Sequence, residues 1–338
     1  MNRDEQDQVK TPPYIPVTQF TGLKCHYINE IIASRGKGDI CPVNNASLHN
    51  QPTLRFFHLS LLLIIGILLF NMVACCRAGN INDTVRVAGV ILKWIPRDRE
   101  ANFRRIEPLI REAAAKGAKV ICTPESFLDG YSARFPDVTA EELRSLAEEI
   151  PGGDYFSRLQ KLSDELDIYL VAAITELDGE EIYNSAALIG PDGMLVGKYR
   201  KKFLWVDEVD KYTPGKAFPV FMTEFGKVGF MICSDRRWPE AIEELKKNGA
   251  DFVLCPAGGG YGKKNDMIVG QRSKEGNIPI VFVHPVEFLV TGPSGKILKM
   301  SLIGNQLDGN KKDLSGGVVL FYDLPIPGEP SENMRDSN

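Results

Sequence analysis

Short hydrophobic runs alternate with amphipathic stretches along the second and larger part of the chain. The run at 85–92 is rich in β-branched residues and predicts a strand. In the stretch at 97–119 that follows, Phe103 and Ile110 lie on one side, at the spacing of a helix face, which predicts a helix. The alternation continues almost to the end of the chain, and strands that alternate with helices indicate an α/β layered fold.

The same reasoning gives the remaining predicted elements. Strands are expected at 119–123, 168–174, 183–189, 228–233, 251–255, 278–283 and 318–324, and helices at 141–150, 155–166 and 239–247. No linker-like composition and no internal repeat interrupts this region. We therefore expect residues 85–325 to form one domain, with 326–338 as a disordered tail.

The run at 59–76, LSLLLIIGILLFNMVACC, differs from these elements because its 18 residues carry no charge. A helix of that length spans about 27 Å, which is borderline for a bilayer. An apolar surface all round is not that of an amphipathic core helix, so the run predicts a membrane-targeting helix. Basic residues precede it, and the positive-inside rule then places the domain outside the cytoplasm. These residues are Lys24, Arg35, Lys37 and Arg55.

Two interpretations of this segment remain open. Residues 72–75, Met-Val-Ala-Cys, resemble a bacterial lipobox, in which Cys75 is lipidated and becomes the mature amino terminus. Residues 54–76 then form a signal peptide, and the alternative is an uncleaved membrane anchor. Residues 1–53 are polar and aperiodic, so we expect a disordered extension or a wrongly placed start codon. Both interpretations predict a protein tethered to a membrane on its extracytoplasmic side, in the periplasm or on the outer face.

Composition and charge exclude several classes of protein. The 338 residues include 40 Lys and Arg against 44 Asp and Glu, a net charge of -4, so a nucleic-acid partner is not expected. The 7 Cys form no cluster with zinc spacing, so neither a disulfide scaffold nor a metal site is predicted, and no cofactor is expected. Of the 4 His, only His284 lies in the domain. The domain therefore has at most one imidazole for catalysis.

Residues with reactive side chains follow three of the predicted strands. Glu125 comes after the second strand, Lys201 lies in a basic cluster, and Cys233 ends a later strand. Each has an ordinary interpretation when taken singly, because an acid at a strand end often caps a helix, a basic cluster is usually solvated and a buried Cys behaves as a small hydrophobic residue. On that last ground Cys122 and Cys255, within apolar strands, are assigned to the core.

Taken together and in this order, these residues resemble the Glu-Lys-Cys triad of the nitrilase, or carbon-nitrogen hydrolase, superfamily. The resemblance covers about residues 85–325 and extends to the segments at 127–131, 183–186, 191–193 and 291–295. It implies a four-layer α-β-β-α sandwich and a homodimer formed through helices. It also implies hydrolysis or condensation at non-peptide C–N bonds without a metal.

The resemblance assigns a role to each member of the triad. Because a free thiol has a pKa of ~8.5 and is a weak nucleophile at neutral pH, Cys233 requires a base or a nearby cation. Glu125 is expected to act as the base, and Lys201 to stabilise the oxyanion together with the backbone N–H of Ser234. A thioester acyl-enzyme follows. The Arg-Lys order of the family selects Lys201 over Lys202.

The segment at 233–240, CSDRRWPE, looks more like the N-carbamoyl-D-amino acid amidohydrolases than like plain nitrilases. In those enzymes two adjacent Arg residues bind a substrate carboxylate, and an arginine fork matches a carboxylate in geometry. The resemblance therefore implies that Arg236 and Arg237 contact the substrate. An ion pair of Arg237 with Glu240 or Glu125 explains that residue equally well.

Other positions near the triad are also assigned to substrate binding. Glu208 matches a second acid that positions the Lys and the substrate in many members, with Asp207 as the competing choice. Tyr131 and Ser234 are further predicted contacts. Ser234 stands where carbamoylases have Asn, and Phe203 stands where a His is frequent, so the chain departs from their pattern at two places. The expected substrate is a small amide or N-carbamoyl compound.

Several alternatives remain open. The substrate could be a nitrile, or the protein could be a catalytically silent ligand-binding lipoprotein of the same fold. A third hypothesis is a Cys-His dyad of Cys233 with His284. The glycine-rich loop at 257–264 lacks the Gly-Lys-Ser/Thr end of a phosphate-binding loop, so it is predicted to be a wall of the pocket. The segment at 278–295 is shorter than is usual in the family, which we expect to reshape the pocket or the dimer edge.

Overall fold

The structure is a computed structural model, and it describes residues 84–303 and 316–326. These residues belong to one compact unit, Arg77–Asn338. The predictions for 1–53, for 54–76 with the lipidation site Cys75, and for nearly all of 326–338 lie outside the described residues and stay predictions. None of the described helices is both long and apolar enough to cross a membrane.

Strands and helices alternate along the described residues as the hydrophobic pattern indicates. The strands are β1 (Thr84–Ile91), β2 (Val120–Cys122), β3 (Glu148–Glu149), β4 (Tyr169–Asp178), β5 (Glu181–Ile189), β6 (Leu195–Arg200), β7 (Val220–Thr223), β8 (Gly226–Phe230), β9 (Phe252–Pro256), β10 (Ile280–His284), β11 (Glu287–Thr291), β12 (Ile297–Leu302) and β13 (Val318–Pro325). The α-helices are α1 (Arg99–Ala115), α2 (Ala140–Leu146), α3 (Asp154–Leu166), α4 (Pro239–Lys247) and α5 (Lys263–Gly276). Short 3₁₀ helices span Ser132–Arg134 and Cys233–Arg237.

The strands form two sheets. In the seven-stranded sheet the order is β13-β1-β2-β4-β5-β6, with β3 paired to β4, and in the six-stranded sheet it is β12-β11-β10-β9-β8-β7. At the centre of each sheet the strands are parallel: β1, β2 and β4 in the first, and β8, β9 and β10 in the second. The carboxyl ends of such strands lie at one edge of their sheet, where α/β folds place their ligand sites. The chain that leaves β2 carries Glu125, and the chain that leaves β8 carries Cys233.

Alternate residues of β1 pack on opposite faces of the seven-stranded sheet. Val87 belongs to a core cluster with residues of the other sheet, such as Phe230 and Phe282. Val90 lies in a second cluster, formed with residues of α1 and α3. Helix α4 adds Leu245 to the first cluster and packs on the six-stranded sheet. The resulting layer order is helices, sheet, sheet, helices.

The predicted elements agree with the structure in type but not at every boundary. The helix predicted at 141–150 ends at Leu146, and residues 148 and 149 form the strand β3. Helix α5 has no counterpart among the predicted elements, because it buries polar residues such as Asn265, Asp266 and Arg272. A helix without an apolar stripe gives no periodic hydrophobic signal.

Candidate active site

Glu125 and Lys201 form a buried ion pair where two strands of the seven-stranded sheet end. Glu125 follows β2, Lys201 directly follows β6, and neither side chain is exposed. Nζ of Lys201 lies 2.8 Å from Oε1 of Glu125. The second oxygen, Oε2 of Glu125, is buried and meets no hydrogen-bond donor among the described residues. Glu125 therefore has one oxygen held by the ammonium group and one able to accept a proton.

A second buried carboxylate completes the surroundings of Lys201. Oε2 of Glu208 lies 2.7 Å from Nζ of Lys201, and Oε1 of Glu208 accepts a hydrogen bond from the hydroxyl of Tyr131 at 2.8 Å. Asp207 is exposed to solvent, and Lys202 pairs with a different acid on α4. The structure thus brings Glu208 rather than Asp207, and Lys201 rather than Lys202, into this cluster.

The two carboxylates keep Lys201 protonated. Burial alone would lower the pKa of this ammonium group, but attraction by Glu125 and then by Glu208 outweighs burial and holds the pKa above its ordinary value. Burial likewise acts to raise the pKa of Glu208, and the charge of Lys201 outweighs it, so the pKa of Glu208 is lowered. The cluster therefore holds a fixed positive charge at neutral pH, as stabilisation of an oxyanion requires.

Asn184, on β5, links the two carboxylates and was not assigned a role from the sequence. Its Nδ2 donates to Oε1 of Glu125 and to Oε1 of Glu208, both at 2.9 Å. Its backbone carbonyl accepts the N–H of Lys201 at 2.8 Å. One residue thus orients all three charged groups. The signal that could have found it is its place in the segment at 183–186, which belongs to the family resemblance.

Cys233 lies at the sharp turn between β8 and the 3₁₀ helix Cys233–Arg237. Its φ of 45° is in the left-handed region, which is strained for a residue other than glycine and is common at functional turns. Its Sγ donates to the backbone carbonyl of Gly259 at 3.3 Å, and the residue is 6% exposed. A negative charge on this sulfur raises the pKa of Lys201 further. Cys233 is therefore within electrostatic reach of the buried ion pair.

Asp235 ties the turn of the cysteine to the segment that follows β6. Its Oδ2 accepts hydrogen bonds from the N–H of Ile232 at 2.8 Å and the hydroxyl of Tyr199 at 2.7 Å. Its Oδ1 accepts the N–H of Phe203 at 2.9 Å. Burial raises the pKa of Asp235 to about 6, and the charge of Lys201 acts in the opposite direction. This carboxylate joins two segments that are far apart in the sequence.

The guanidinium group of Arg236 is 3% exposed and bonds protein atoms on every side. Its Nε donates to Oδ1 of Asn265 at 2.6 Å. Its Nη2 donates to the carbonyls of Gly259 and Gly260 at 3.0 and 2.9 Å. Its Nη1 donates to the carbonyl of Cys233 and lies 3.5 Å from Sγ of the same residue. Arg236 thus joins the cysteine to the glycine-rich loop, and its predicted contact with a substrate carboxylate stays a prediction.

The other three residues assigned to substrate binding lie in different settings. Tyr131 is buried, with its hydroxyl on the second carboxylate of the cluster. The hydroxyl of Ser234 donates to the carbonyl of Phe203 at 2.6 Å. Arg237 is half-buried, and its Cζ lies 4.8 Å from the ring centre of Trp205. Contact of these residues with substrate stays a prediction.

The glycine-rich loop passes beside the cysteine and Tyr131. A Cβ atom on Gly259 would lie 3.8 Å from Sγ of Cys233, and one on Gly258 would lie 2.6 Å from Cδ1 of Tyr131. A side chain at position 258 would therefore collide with a buried ring. The loop lies where a wall of the site is expected.

The hydrogen bonds of His284 are to backbone groups. Its Nδ1 accepts a hydrogen bond from the N–H of Val286 at 3.2 Å, and the imidazole also interacts with the backbone of Gly258. Burial, followed by the charge of Arg236, lowers the pKa of His284 to about 3. The structure does not bring the imidazole and the thiol together as a Cys-His dyad requires.

The remaining described cysteines are core residues. Cys122 and Cys255 have no exposure, and burial raises the pKa of both thiols. Within the described ranges, no group of three or more His, Cys, Asp and Glu side chains is arranged to hold a metal ion. Of the cysteines in this part of the chain, Cys233 alone combines partial exposure with nearby charged groups.

Comparisons with known proteins identify the family and the relatives of this chain. The model of the carbon-nitrogen hydrolase family matches residues 86–305. A nitrilase of Pyrococcus abyssi is 38% identical over 174 residues, which are 51% of this chain and 64% of that protein. The human omega-amidase NIT2 is 36% identical over 166 residues, 46% of this chain and 57% of that protein. The chain thus spans less than two thirds of the length of these curated relatives.

Solved structures share the fold. An amidase from Nesterenkonia sp. superposes with a TM-score of 0.61 at 22% identity, over 73% of this chain and 92% of that one. Nit3 of Saccharomyces cerevisiae, a member of the nitrilase superfamily, gives a TM-score of 0.59 at 23% identity, over 71% and 90% of the two chains. With the family match over most of the described residues, the chain belongs to the carbon-nitrogen hydrolase family.

Proposed function

We propose that this chain hydrolyses the C–N bond of a small amide or N-carbamoyl compound through a thioester on Cys233. The observation that carries the proposal is the buried pair of Glu125 and Lys201. One oxygen of its carboxylate is open to a proton, and the strained cysteine lies within electrostatic reach of its ammonium group. These are the three chemical functions that acyl transfer needs: a base, a cation and a nucleophile.

In the first half of the reaction, Oε2 of Glu125 takes the proton from Sγ of Cys233. The sulfur attacks the substrate carbonyl carbon, a C–S bond forms, and the carbonyl π electrons move to the oxygen, which becomes an oxyanion beside the ammonium group of Lys201. The tetrahedral intermediate then breaks its C–N bond. Glu125 gives the proton to the leaving nitrogen, which departs as ammonia or an amine and leaves a thioester.

In the second half, a water molecule replaces the departed amine. Glu125 removes a proton from the water as its oxygen attacks the thioester carbon, and a second oxyanion forms at the same place. The C–S bond breaks, the sulfur leaves as a thiolate and regains the proton from Glu125, and the acid product departs. Lys201 keeps its proton throughout, in accord with its raised pKa.

The relatives support a small amide as the substrate. Two of the similar proteins are named omega-amidase and nitrilase. Solved structures of the Nesterenkonia amidase are described with acrylamide or the acetamide moiety of fluoroacetamide added to the active site cysteine, and with butyramide bound. A nitrile is the second candidate because of the Pyrococcus abyssi relative, and the same thiolate could add to a nitrile carbon.

Of the two adjacent arginines, we propose Arg237 as the one that binds a substrate carboxylate. Arg236 already donates to four protein groups and is buried. Arg237 is half-buried, and its Cζ lies 4.8 Å from the ring centre of Trp205, at a distance where a ring holds a guanidinium group by a cation–π contact. A guanidinium group held in this way is preorganised for a planar carboxylate.

The full chain is tested by ammonia release from a panel of small neutral amides, N-carbamoyl amino acids and the matching nitriles. We expect hydrolysis of an amide or carbamoyl compound, abolished by Cys233→Ala and retained by the matched variant Cys255→Ala. Retained activity in Cys233→Ala contradicts the mechanism. If nothing in the panel is hydrolysed and Cys233 is alkylated no faster than a free thiol, the chain is a silent binding protein.

Arg237→Met separates the two substrate classes. We expect KM for N-carbamoyl amino acids to rise by about tenfold or more, while KM for neutral amides stays within about threefold of the original value. Lys202→Met removes a positive charge from a neighbouring segment and serves as the control. Equal changes for both substrate classes contradict the role of Arg237.

We also propose, from the segment at 54–76 alone, that the domain is tethered to a membrane outside the cytoplasm. Recovery of the full chain in the membrane fraction of cells tests this, and recovery in the soluble fraction contradicts it. The mass of the membrane-bound protein then separates the two interpretations, because cleavage and lipidation at Cys75 give a different mass from an intact anchor. A homodimer is proposed from the family resemblance. Sedimentation of the purified protein tests that proposal, and a monomer contradicts it.

A further inference from the structure

Glu287 is a buried carboxyl group beside the glycine-rich loop that the proposed mechanism does not use. It begins β11, immediately after the turn from β10, and it has no solvent exposure. Its Oε2 accepts hydrogen bonds from the N–H of Gly262 and from Nδ2 of Asn265, both at 3.1 Å. Its Oε1 is buried and meets no donor among the described residues. A buried carboxyl oxygen without a donor must either carry a proton itself or accept a hydrogen bond from a protonated neighbour.

Asp266 supplies the matching half of this arrangement. It lies in the first turn of α5, is nine-tenths buried, and its Oδ1 likewise meets no donor in the described part of the chain. The side chains of Asp266 and Glu287 are within hydrogen-bonding range of each other. Two ionised carboxylates cannot form a hydrogen bond, so this contact requires one shared proton. Burial first, and then the charge of Asp266, raises the pKa of Glu287 to about 7.

The pair is connected to the nucleophile by a continuous series of hydrogen bonds. Asn265 donates to Glu287 through Nδ2 and accepts from Nε of Arg236 through Oδ1, at 2.6 Å. Arg236 in turn donates to the carbonyl of Cys233 and to the carbonyl of Gly259, and the carbonyl of Gly259 accepts the thiol at 3.3 Å. Two side chains, Asn265 and Arg236, therefore join the carboxyl pair to the backbone of the cysteine and, through the carbonyl of Gly259, to its sulfur.

We propose that Glu287 and Asp266 share one proton, and that in this state Glu287 acts as a positioning residue that holds Arg236, and through it Cys233, in the reactive arrangement. This role rests on the function proposed above for Cys233. When the shared proton is lost, two negative charges face each other in a buried site and must separate. Because Asn265 is next to Asp266 in the chain and bonded to Glu287, separation of the pair breaks or stretches the connection to Arg236.

The other charged and titratable groups around the pair do not take over its role as the group that loses a proton near pH 7. Arg236 faces it through Asn265. His284 lies opposite Glu287 in the register of β10 and β11, but its pKa is lowered to about 3 by burial and then by Arg236. Tyr261 packs on His284, Arg134 also acts on His284 by its charge, and Lys263 and Lys264 stand at the exposed start of α5.

The test measures alkylation of Cys233 by iodoacetamide in the full chain, with the site resolved by peptide mass spectrometry, from about pH 5 to about pH 9. Thiolate formation increases the rate with pH, and loss of the shared proton near pH 7 opposes that increase. Glu287→Gln keeps the side-chain shape and one acceptor oxygen but cannot ionise. We expect its rate at about pH 8.5 to exceed that of the unmodified protein by about threefold or more, with little difference near pH 5.5.

Matched variants separate the connection from other effects. Glu275→Gln removes a carboxylate from the same helix, and its profile should follow that of the unmodified protein. Asn265→Ala breaks the connection to Arg236 and leaves the carboxyl pair intact. It should therefore also remove the step near pH 7, at which loss of the shared proton slows the alkylation of Cys233. If Asn265→Ala retains that step, the pair acts through space and the positioning role is wrong.

Identical profiles for Glu287→Gln and the unmodified protein, with both folded by circular dichroism, overturn the inference. If Glu287→Gln does not fold, Asp266→Asn replaces it, with the same expected result. Alkylation needs no turnover, so the failure of the two proposals is distinguishable. A step near pH 7 without hydrolysis of any substrate would sink the proposed function alone, and hydrolysis without the step would sink this inference alone.

Discussion

Nζ of Lys201 lies 2.8 Å from Oε1 of Glu125, and both side chains are fully buried. Burial of an ion pair costs solvation free energy, and the attraction between the partners offsets that cost only where further hydrogen bonds satisfy the remaining atoms. Here Glu208 and Asn184 supply those bonds. The cluster is therefore a preorganised charge arrangement, whose removal should affect both stability and catalysis.

Lys201→Met should strongly destabilise the fold, because Glu125 and Glu208 would then be two buried carboxylates without a cation. We expect the free energy of unfolding to fall by about 3–5 kcal/mol at neutral pH, and by less near pH 4, because acid can neutralise the buried negative charge that the variant leaves without a cation. Urea unfolding at the two pH values measures this. Lys202→Met, which breaks a half-exposed pair with Glu244, should cost about 1 kcal/mol or less. Similar losses for the two variants would contradict the buried-cluster interpretation.

Glu208→Gln tests whether the second carboxylate sustains the charge of Lys201. The amide keeps the shape of the side chain but removes one of the negative charges that raise the lysine pKa. We expect kcat to fall by about 10–100-fold, while Asp207→Asn, at the exposed neighbouring position, stays within about twofold. Steady-state kinetics on the best amide substrate measures both. A larger effect of Asp207→Asn would show that Asp207, and not Glu208, is the acid that supports Lys201.

The sequence alone was sufficient for the elements whose hydrophobic pattern is regular, but less so for the site. β1 and α1 were predicted because β-branched residues and apolar spacing are direct signals of local structure. Helix α5 buries polar side chains and gave no such signal. The contact between Glu125 and Lys201 joins residues 76 positions apart, so only the family resemblance connected them.

The side chains that support the site were the hardest to predict. Asn184 acts by donating hydrogen bonds and Asp235 by accepting them, and apart from the family resemblance nothing in their local sequence distinguishes them from surface residues. The family resemblance assigns Arg236 to the substrate, which stays a prediction, and the structure adds contacts that the sequence does not indicate, with the carbonyls of Cys233 and Gly259. Which acceptors surround a guanidinium group depends on loops that the sequence pattern does not fix.

His284→Asn decides between the triad and the Cys-His dyad. Asparagine keeps an acceptor near the position of Nδ1, so the hydrogen bond from Val286 can form without an imidazole. Because the hydrogen bonds of His284 are to the backbone of Val286 and Gly258, we expect kcat/KM to stay within about threefold of the original value. Loss of a hundredfold or more, with the fold intact by circular dichroism, would favour the dyad.

Asp129 should make the stability of the fold depend on pH. Its Oδ2 accepts the N–H of Ser132 at 2.8 Å and its Oδ1 accepts the hydroxyl of Thr175 at 2.9 Å, yet burial raises its pKa to about 6. The unfolded chain has an ordinary carboxyl group with a pKa of ~3.9. The native state therefore keeps a proton that the unfolded state releases. The stabilising contribution of Asp129 to the free energy of unfolding is fully present below about pH 4 and is lost as pH rises through about 6.

Asp129→Asn isolates this contribution, because the amide oxygen can accept the N–H of Ser132 and the amide nitrogen can donate to the hydroxyl of Thr175, and the side chain does not ionise. When the pH rises from about 4 to about 7, the free energy of unfolding of the unmodified protein should fall by about 2–3 kcal/mol relative to that of Asp129→Asn. Urea unfolding of both proteins across that range measures the difference. Asp235 and Glu287, whose pKa values are also raised, are present in both proteins and cancel. A difference that stays constant with pH would show that Asp129 is already ionised in the native state at pH 4.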